Sequence, residues 1–141
     1  MPGQSLDHEL LLAGGIQALG PREDAIYKPR WGAFYDTPLE HHLREQQVTT
    51  LVFCGCNFSN CPRTSIYEAS ERDFRIALPR DAVSGLYERG KRELANIGVS
   101  LASAAELAVE LAGSTPPASK SGSSTSTDRR SICNRSPPSC G

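Results

Sequence analysis

Twenty residues, Thr50-Leu-Val-Phe-Cys-Gly-Cys-Asn-Phe-Ser-Asn-Cys-Pro-Arg-Thr-Ser-Ile-Tyr-Glu-Ala69, constrain the fold more than any other part of this chain. Thr50 to Cys54 is an apolar, β-rich run stopped by Gly55, the pattern of a buried strand. The loop Cys56-Asn57-Phe58-Ser59-Asn60 consists of residues that cap helices and tolerate unusual backbone angles. Pro62 then sets a helix start, because its missing N–H and preset φ are tolerated only in a first turn. Cys61 therefore falls at the N-cap or the first helical position.

That placement has a chemical consequence. Thiolate is the reactive form of cysteine, and the unpaired N–H groups and positive dipole end of a helix favour it. A cysteine here can act as a nucleophile without a metal. The competing reading is a small buried hydrophobe, the commonest fate of an unbridged cysteine.

At 141 residues the chain holds one domain at most. A net charge of −1 gives no electrostatic case for nucleic acid or a membrane surface as partner. No apolar run approaches a membrane span and no basic-then-apolar leader opens the chain, so a soluble cytoplasmic protein is expected. Five cysteines, an odd number with Cys54, Cys56 and Cys61 crowded together, do not resemble a secreted disulfide framework.

Residues 1–20 are weakly patterned: Leu6, Leu10, Leu11 and Leu12 suit a short helix that Gly14-Gly15 breaks. Asp24 to Tyr27 is a short strand candidate. It leads into Lys28-Pro-Arg-Trp-Gly-Ala-Phe-Tyr35, a loop too rich in Pro, Gly and aromatics for regular structure. Thr37-Pro38-Leu39-Glu40 reads as a helix start with a Thr N-cap, with Leu39 and Leu43 inward and Glu40 paired to Arg44. His41 and His42 on that helix read as a solvated face.

The helix from Cys61 is expected to reach about Arg72, with Ile66 and Ala69 buried. Asp73 to Pro79 is the next strand. Asp81-Ala82 is a turn, Ser84 caps a helix carrying Leu86 and Leu94, and Gly98 to Leu101 is a final strand. Ser103-Ala-Ala-Glu106 is a capping box whose helix stops at Gly113. Alternating strands and helices predict a three-layer α/β domain over 21–113 with a mainly parallel sheet. Residues 114–141, dominated by Ser, Thr, Pro and Gly and including Cys133 and Cys140, are expected to form a disordered tail.

Three pieces occur in one order: Lys28-Pro-Arg-Trp-Gly-Ala-Phe-Tyr-Asp-Thr37, the strand-loop-helix around Cys61, and Phe74-Arg-Ile-Ala-Leu-Pro-Arg-Asp-Ala82. Together they resemble the isochorismatase-like cysteine hydrolases over roughly residues 14 to 112. The resemblance implies a hydrolase of small amide, carbamoyl or ureide C–N bonds, acting without a cofactor through a Cys61 thioester. It implies Lys28 as the second catalytic residue, and an oxyanion hole from the backbone N–H groups of Asn57 and Cys61. It further implies a cis peptide at Cys56-Asn57 and a homo-oligomer. Gly32 stands where such proteins often have Ser, and Pro62 where they often have Val.

The family's catalytic Asp, in an apolar strand-Asp-x-Gln segment before the Lys, has no counterpart here: Asp7 and Asp24 do not fit. The expectation is a domain lacking that first strand, with an exposed sheet edge and weak or no turnover. Trp31 and Phe34 are candidates for a substrate wall with Asn57, and equally for core or interface residues, as is Tyr35. Asp81 either lines the pocket or serves a turn or a helix cap. Two other classes stay open. One is an inactive remnant that assembles through its exposed strand edge. The other is a structural zinc site from Cys54, Cys56 and Cys61, whose C-x-C-x₄-C spacing is a poor match to zinc.

Overall fold

The computed structural model describes residues 4–113 and the backbone of 132–134. Helix α1 (His8–Leu12) opens on an Asp7 side chain that accepts the Leu10 N–H. Strands β1 (Ile16–Gly20) and β2 (Glu23–Ile26) follow as an antiparallel hairpin. Helix α2 spans Leu39–Glu45, strand β3 Thr50–Gly55, helix α3 Cys61–Ser70 and strand β4 Arg75–Pro79. Helix α4 (Glu88–Asn96), strand β5 (Ser100–Ala102), helix α5 (Ala104–Gly113) and strand β6 (Ile132–Asn134) complete the order. The main sheet is parallel throughout, ordered β5-β4-β3-β6.

Strand alternation divides the sheet into two faces. Leu51 and Phe53 of β3 and Ile76 and Leu78 of β4 join Ile66, Ala69 and Leu94 in one buried cluster. The intervening Val52, Cys54 and Pro79 face Ala104, Leu107 and Leu111 of α5 across an open hollow. The result is the expected α/β layering.

Most helices hand over to the next strand by the same device. One or two residues after each helix's cap the chain turns into the left-handed region, at Gly14, Gln47, Asp73 and Gly98. In each case the following N–H reaches back to the last turn: Gly15 to Leu10, Val48 to Leu43, Phe74 to Ala69 and Val99 to Leu94. This is the Schellman closure, which satisfies carbonyls the helix leaves unpaired. Two of the four positions lack glycine and carry the conformational cost.

Several local readings are corrected by their surroundings. The stretch expected to be weakly structured before Gly20 carries α1 and β1, because β1 gains a partner strand and Gln17 bonds the Asp7 N–H at 2.8 Å. Pro38, not Thr37, is the N-cap residue of α2. The Thr37 hydroxyl nevertheless accepts the Leu39 N–H at 3.4 Å, as a cap would, while donating to the Ala33 carbonyl at 2.6 Å. Glu40 lies 3.7 Å from Arg44 and pairs more closely with Arg72, at 2.9 Å. Ser84 caps no helix, since α4 begins after Tyr87 without a side-chain cap. The Ser103 capping box forms as read: Glu106 N–H to Ser103 Oγ at 3.1 Å and Ser103 N–H to Glu106 Oε2 at 2.7 Å. Those bonds from Ser103 hold the Glu106 carboxyl below the ordinary glutamate range.

Within the stretch expected to be disordered, β6 pairs with β3 over Phe53–Gly55, so part of the edge expected to be exposed is occupied. The remainder of 114–141, with Cys140, lies outside the described residues. Among the described residues no helix is long and apolar enough to cross a membrane.

Replacing Gln47, at φ 57°, with Gly is expected to raise stability. A left-handed non-glycine costs about 1–2 kcal/mol, and the freer unfolded glycine chain returns about 0.5–1 of it. Urea unfolding should show Q47G gaining more than D73G, because Asp tolerates this region better than Gln; a loss for Q47G would contradict the helix-end account.

Candidate active site

The strand-loop-helix unit forms as its residues dictate. Asn60 precedes α3 as N-cap, Pro62 lies in the first turn, and Cys61 is the first helical residue. The peptide Cys56-Asn57 is cis. The loop is held from the β4 side: Gly55 N–H donates to the Ala82 carbonyl, Ser84 N–H to Gly55, and Phe58 N–H to Ser84. Ser84 also donates its hydroxyl to Asn57 Oδ1 at 2.9 Å. The residue read as a helix cap thus braces the loop before Cys61.

Lys28 crosses to this point from the end of β2. Its Nζ donates to Cys61 Sγ at 3.2 Å, to the Arg30 carbonyl at 3.1 Å and to the Trp31 carbonyl at 3.3 Å. An ammonium has three protons, and here each has an acceptor. The sulfur is buried, with Cys61 only 7% exposed. The inert-hydrophobe reading accounts for the burial but not for the lysine. Among the described residues no carboxylate shares an ion pair with Lys28.

The backbone N–H groups of Asn57 and Cys61 donate to no other group among the described residues. Asn57 is exposed, and its side chain is taken up by Ser84. The Cys61 donor lies at the start of α3, where the helix end favours negative charge, and the Asn57 donor lies in the loop before it.

Phe34 is not a substrate wall. It is 5% exposed, its ring lies 5.8 Å from Phe74, and the Arg72 guanidinium stacks over it at 5.1 Å. Trp31 is 64% exposed and sits with Arg30, Tyr35, Thr64 and Glu68 around an open groove of about 320 Å³. The lining of that groove does not include Cys61. Asp81 serves a helix start, its Oδ1 accepting the Ala104 N–H at 2.7 Å where α5 begins.

Other readings change as well. His42 is not solvated: its Nε2 lies 2.9 Å from Asp24 Oδ2 with both side chains largely covered. His41 is exposed beside Glu45 as read. Among the described residues no three His, Cys, Asp or Glu side chains converge as a metal site. Arg63 ties the first turn of α3 to α4 through Glu93 at 3.1 Å, and holds that carboxyl below its ordinary range.

Two residues were passed over in the sequence. Ser65, 2% exposed, accepts the Ala33 N–H at 3.0 Å, and Glu68 accepts the Phe34 N–H at 3.0 Å. Their positions, four and seven after Cys61, place all three on one helix face, and that spacing was the available signal.

Comparison with known proteins places this geometry. A family model described as the Isochorismatase domain matches residues 12–106. A ureidoacrylate amidohydrolase of Methylobacterium radiotolerans is 35% identical over 86 residues, 58% of this chain and 33% of that protein. A maleamate amidohydrolase of Pseudomonas putida is 35% identical over 74 residues, 51% of this chain and 35% of that protein. A protein of Arabidopsis thaliana named "probable inactive nicotinamidase" is 30% identical over 106 residues, 72% of this chain and 54% of that protein.

Among solved structures, an isochorismatase family protein from Desulfovibrio vulgaris aligns with TM-score 0.56 and 28% identity. It covers 60% of this chain and 47% of that one. An N-carbamoylsarcosine amidase from Thermoplasma acidophilum aligns with TM-score 0.51 and 27% identity, covering 54% and 45%. The matched region thus spans about a third to a half of these relatives' lengths.

The two aromatics separate cleanly by experiment. Phe34→Ala should cost about 3–5 kcal/mol, the usual loss for a buried Phe, whereas exposed Trp31→Ala should stay within about 0.5 kcal/mol. Denaturant unfolding of both variants checks this; equal losses would contradict the placement.

Proposed function

The chain belongs to the isochorismatase family, and on that premise we propose that it hydrolyses a small amide, carbamoyl or ureide C–N bond through Cys61. The observation that carries the reading is the 3.2 Å contact between Lys28 Nζ and Cys61 Sγ at the first turn of α3. Relatives named as acting on ureidoacrylate and maleamate support the amide class.

The chemistry follows from the placement. Sulfur attacks the carbonyl carbon, and the negative charge moves to the carbonyl oxygen, for which the open N–H groups of Asn57 and Cys61 are the donors. Collapse breaks the C–N bond, the departing nitrogen takes up a proton, and a Cys61 thioester remains. Water then attacks the thioester, releases the acid and returns the thiol. Lys28 donates to the sulfur: as an ammonium it stabilises the thiolate, gives the departing nitrogen its proton, and takes one back from the attacking water. The small molecule is the partner in this reading, without a cofactor. In this reading the chain acts in the cytoplasm as a homo-oligomer.

A second reading has its own support. The Lys28–Cys61 contact carries no paired carboxylate among the described residues, and one relative bears the name of an inactive enzyme. In that reading the domain folds and binds but does not turn over.

Ammonia release from a panel of small primary amides and ureides decides between them. The hydrolase reading expects release that Cys61→Ser abolishes, slower than a carboxylate-assisted enzyme by about 10²–10⁴-fold, the usual worth of acid–base assistance. Release unchanged in C61S, or none from any substrate in the panel, contradicts it; the second outcome favours the inactive domain.

A further inference from the structure

The spacing between Cys61 and Lys28 is not set by those two residues. Lys28 lies on a loop, and its ammonium is held by two carbonyls of that same loop, at Arg30 and Trp31. Directly beyond them the chain turns its N–H groups the other way, toward α3. Ala33 N–H meets Ser65 Oγ and Phe34 N–H meets Glu68 Oε2, each at 3.0 Å. Gly32, between the two sets of bonds, is buried against the Glu68 side chain, and a Cβ there would overlap the carboxylate. The carbonyl of Ala33 is closed off in turn by the Thr37 hydroxyl.

Cys61, Ser65 and Glu68 stand at i, i+4 and i+7 of one helix. A single face of α3 therefore carries the sulfur and both acceptors that fix the lysine's loop. Further along, Arg72 covers Phe34 and donates to the Glu68 carbonyl at 2.9 Å, closing the far end of the loop.

We propose that Ser65 and Glu68 are positioning residues: bound to consecutive N–H groups of the lysine loop, they set Lys28 Nζ on Cys61 Sγ. The proposal rests on the thiol–lysine reading given above. Glu68 acts through its oxygen as an acceptor, so a neutral amide of the same shape fulfils the role. Gly32 belongs to the device, because any side chain there displaces that oxygen from the Phe34 N–H.

The test is a double-mutant cycle on the alkylation rate of Cys61 by iodoacetamide at fixed pH, resolved to the residue by tandem mass spectrometry. Lys28→Met should change that rate by about tenfold, the scale of one charge-assisted hydrogen bond. With Glu68→Ala already in place, Lys28→Met should change it by less than about twofold, because the lysine no longer reaches the sulfur. Glu68→Gln should restore the full Lys28 effect. A merely structural role would lower the melting temperature and leave the Lys28 effect intact. Should Glu68→Ala fail to fold, Ser65→Ala and Gly32→Ala carry the same cycle. An undiminished Lys28 effect in a folded variant overturns the positioning role alone. No Lys28 effect in the unmodified chain overturns the thiol–lysine reading on which it stands.

Discussion

The contact on which this structure turns is a lysine ammonium against a cysteine sulfur, between residues 33 positions apart and 3.2 Å apart in space. Neither partner could hold it alone. A lysine carries a long flexible side chain with large rotamer entropy, and ordering it requires acceptors for every proton. Two come from its own loop and the third is the sulfur. The sulfur is fixed by a strand that ends at a glycine and a helix that starts at a proline. Its loop is stitched to the segment after β4 by three backbone bonds. The sheet thus positions the sulfur, and the helix holds the loop of the lysine beside it.

That division explains why local signals in the sequence were informative at Cys61 and misleading elsewhere. The helix start at Cys61 and the capping box at Ser103 are short-range devices, complete within a few residues, so their chemistry is visible in the chain itself. Phe34 is the opposite case. Its loop looked like a binding wall, but its partners, Phe74 and Arg72, lie about forty residues on and make it core. Ser84 and His42 were misread for the same reason. A hydroxyl suited to capping is drawn to Asn57, and a histidine on a polar helix finds Asp24 across the hairpin. Strand β6 had no local signal at all, because a three-residue strand is defined by the edge it joins.

The family's fold and chemistry extend over a longer chain than the matched region here. What this region retains is the thiol, the lysine, the loop with two open N–H groups, and the helix face that relates them. Among the described residues it does not show a carboxylate paired to the lysine. In the proposed mechanism these parts serve covalent attack, whereas a carboxylate beside the lysine would set how fast protons follow.

The account's central claim is that burial does not make Cys61 inert, because Lys28 primes it. Among the described residues Cys56, just past the end of β3, is the exposed thiol, and Cys61 is nearly covered. Exposure alone would have Cys56 react first. Time-resolved labelling with a limiting small electrophile, read at each cysteine, puts the two in order. The account predicts that Cys61 is modified before Cys56; modification of Cys56 first, with Cys61 left untouched, would contradict it.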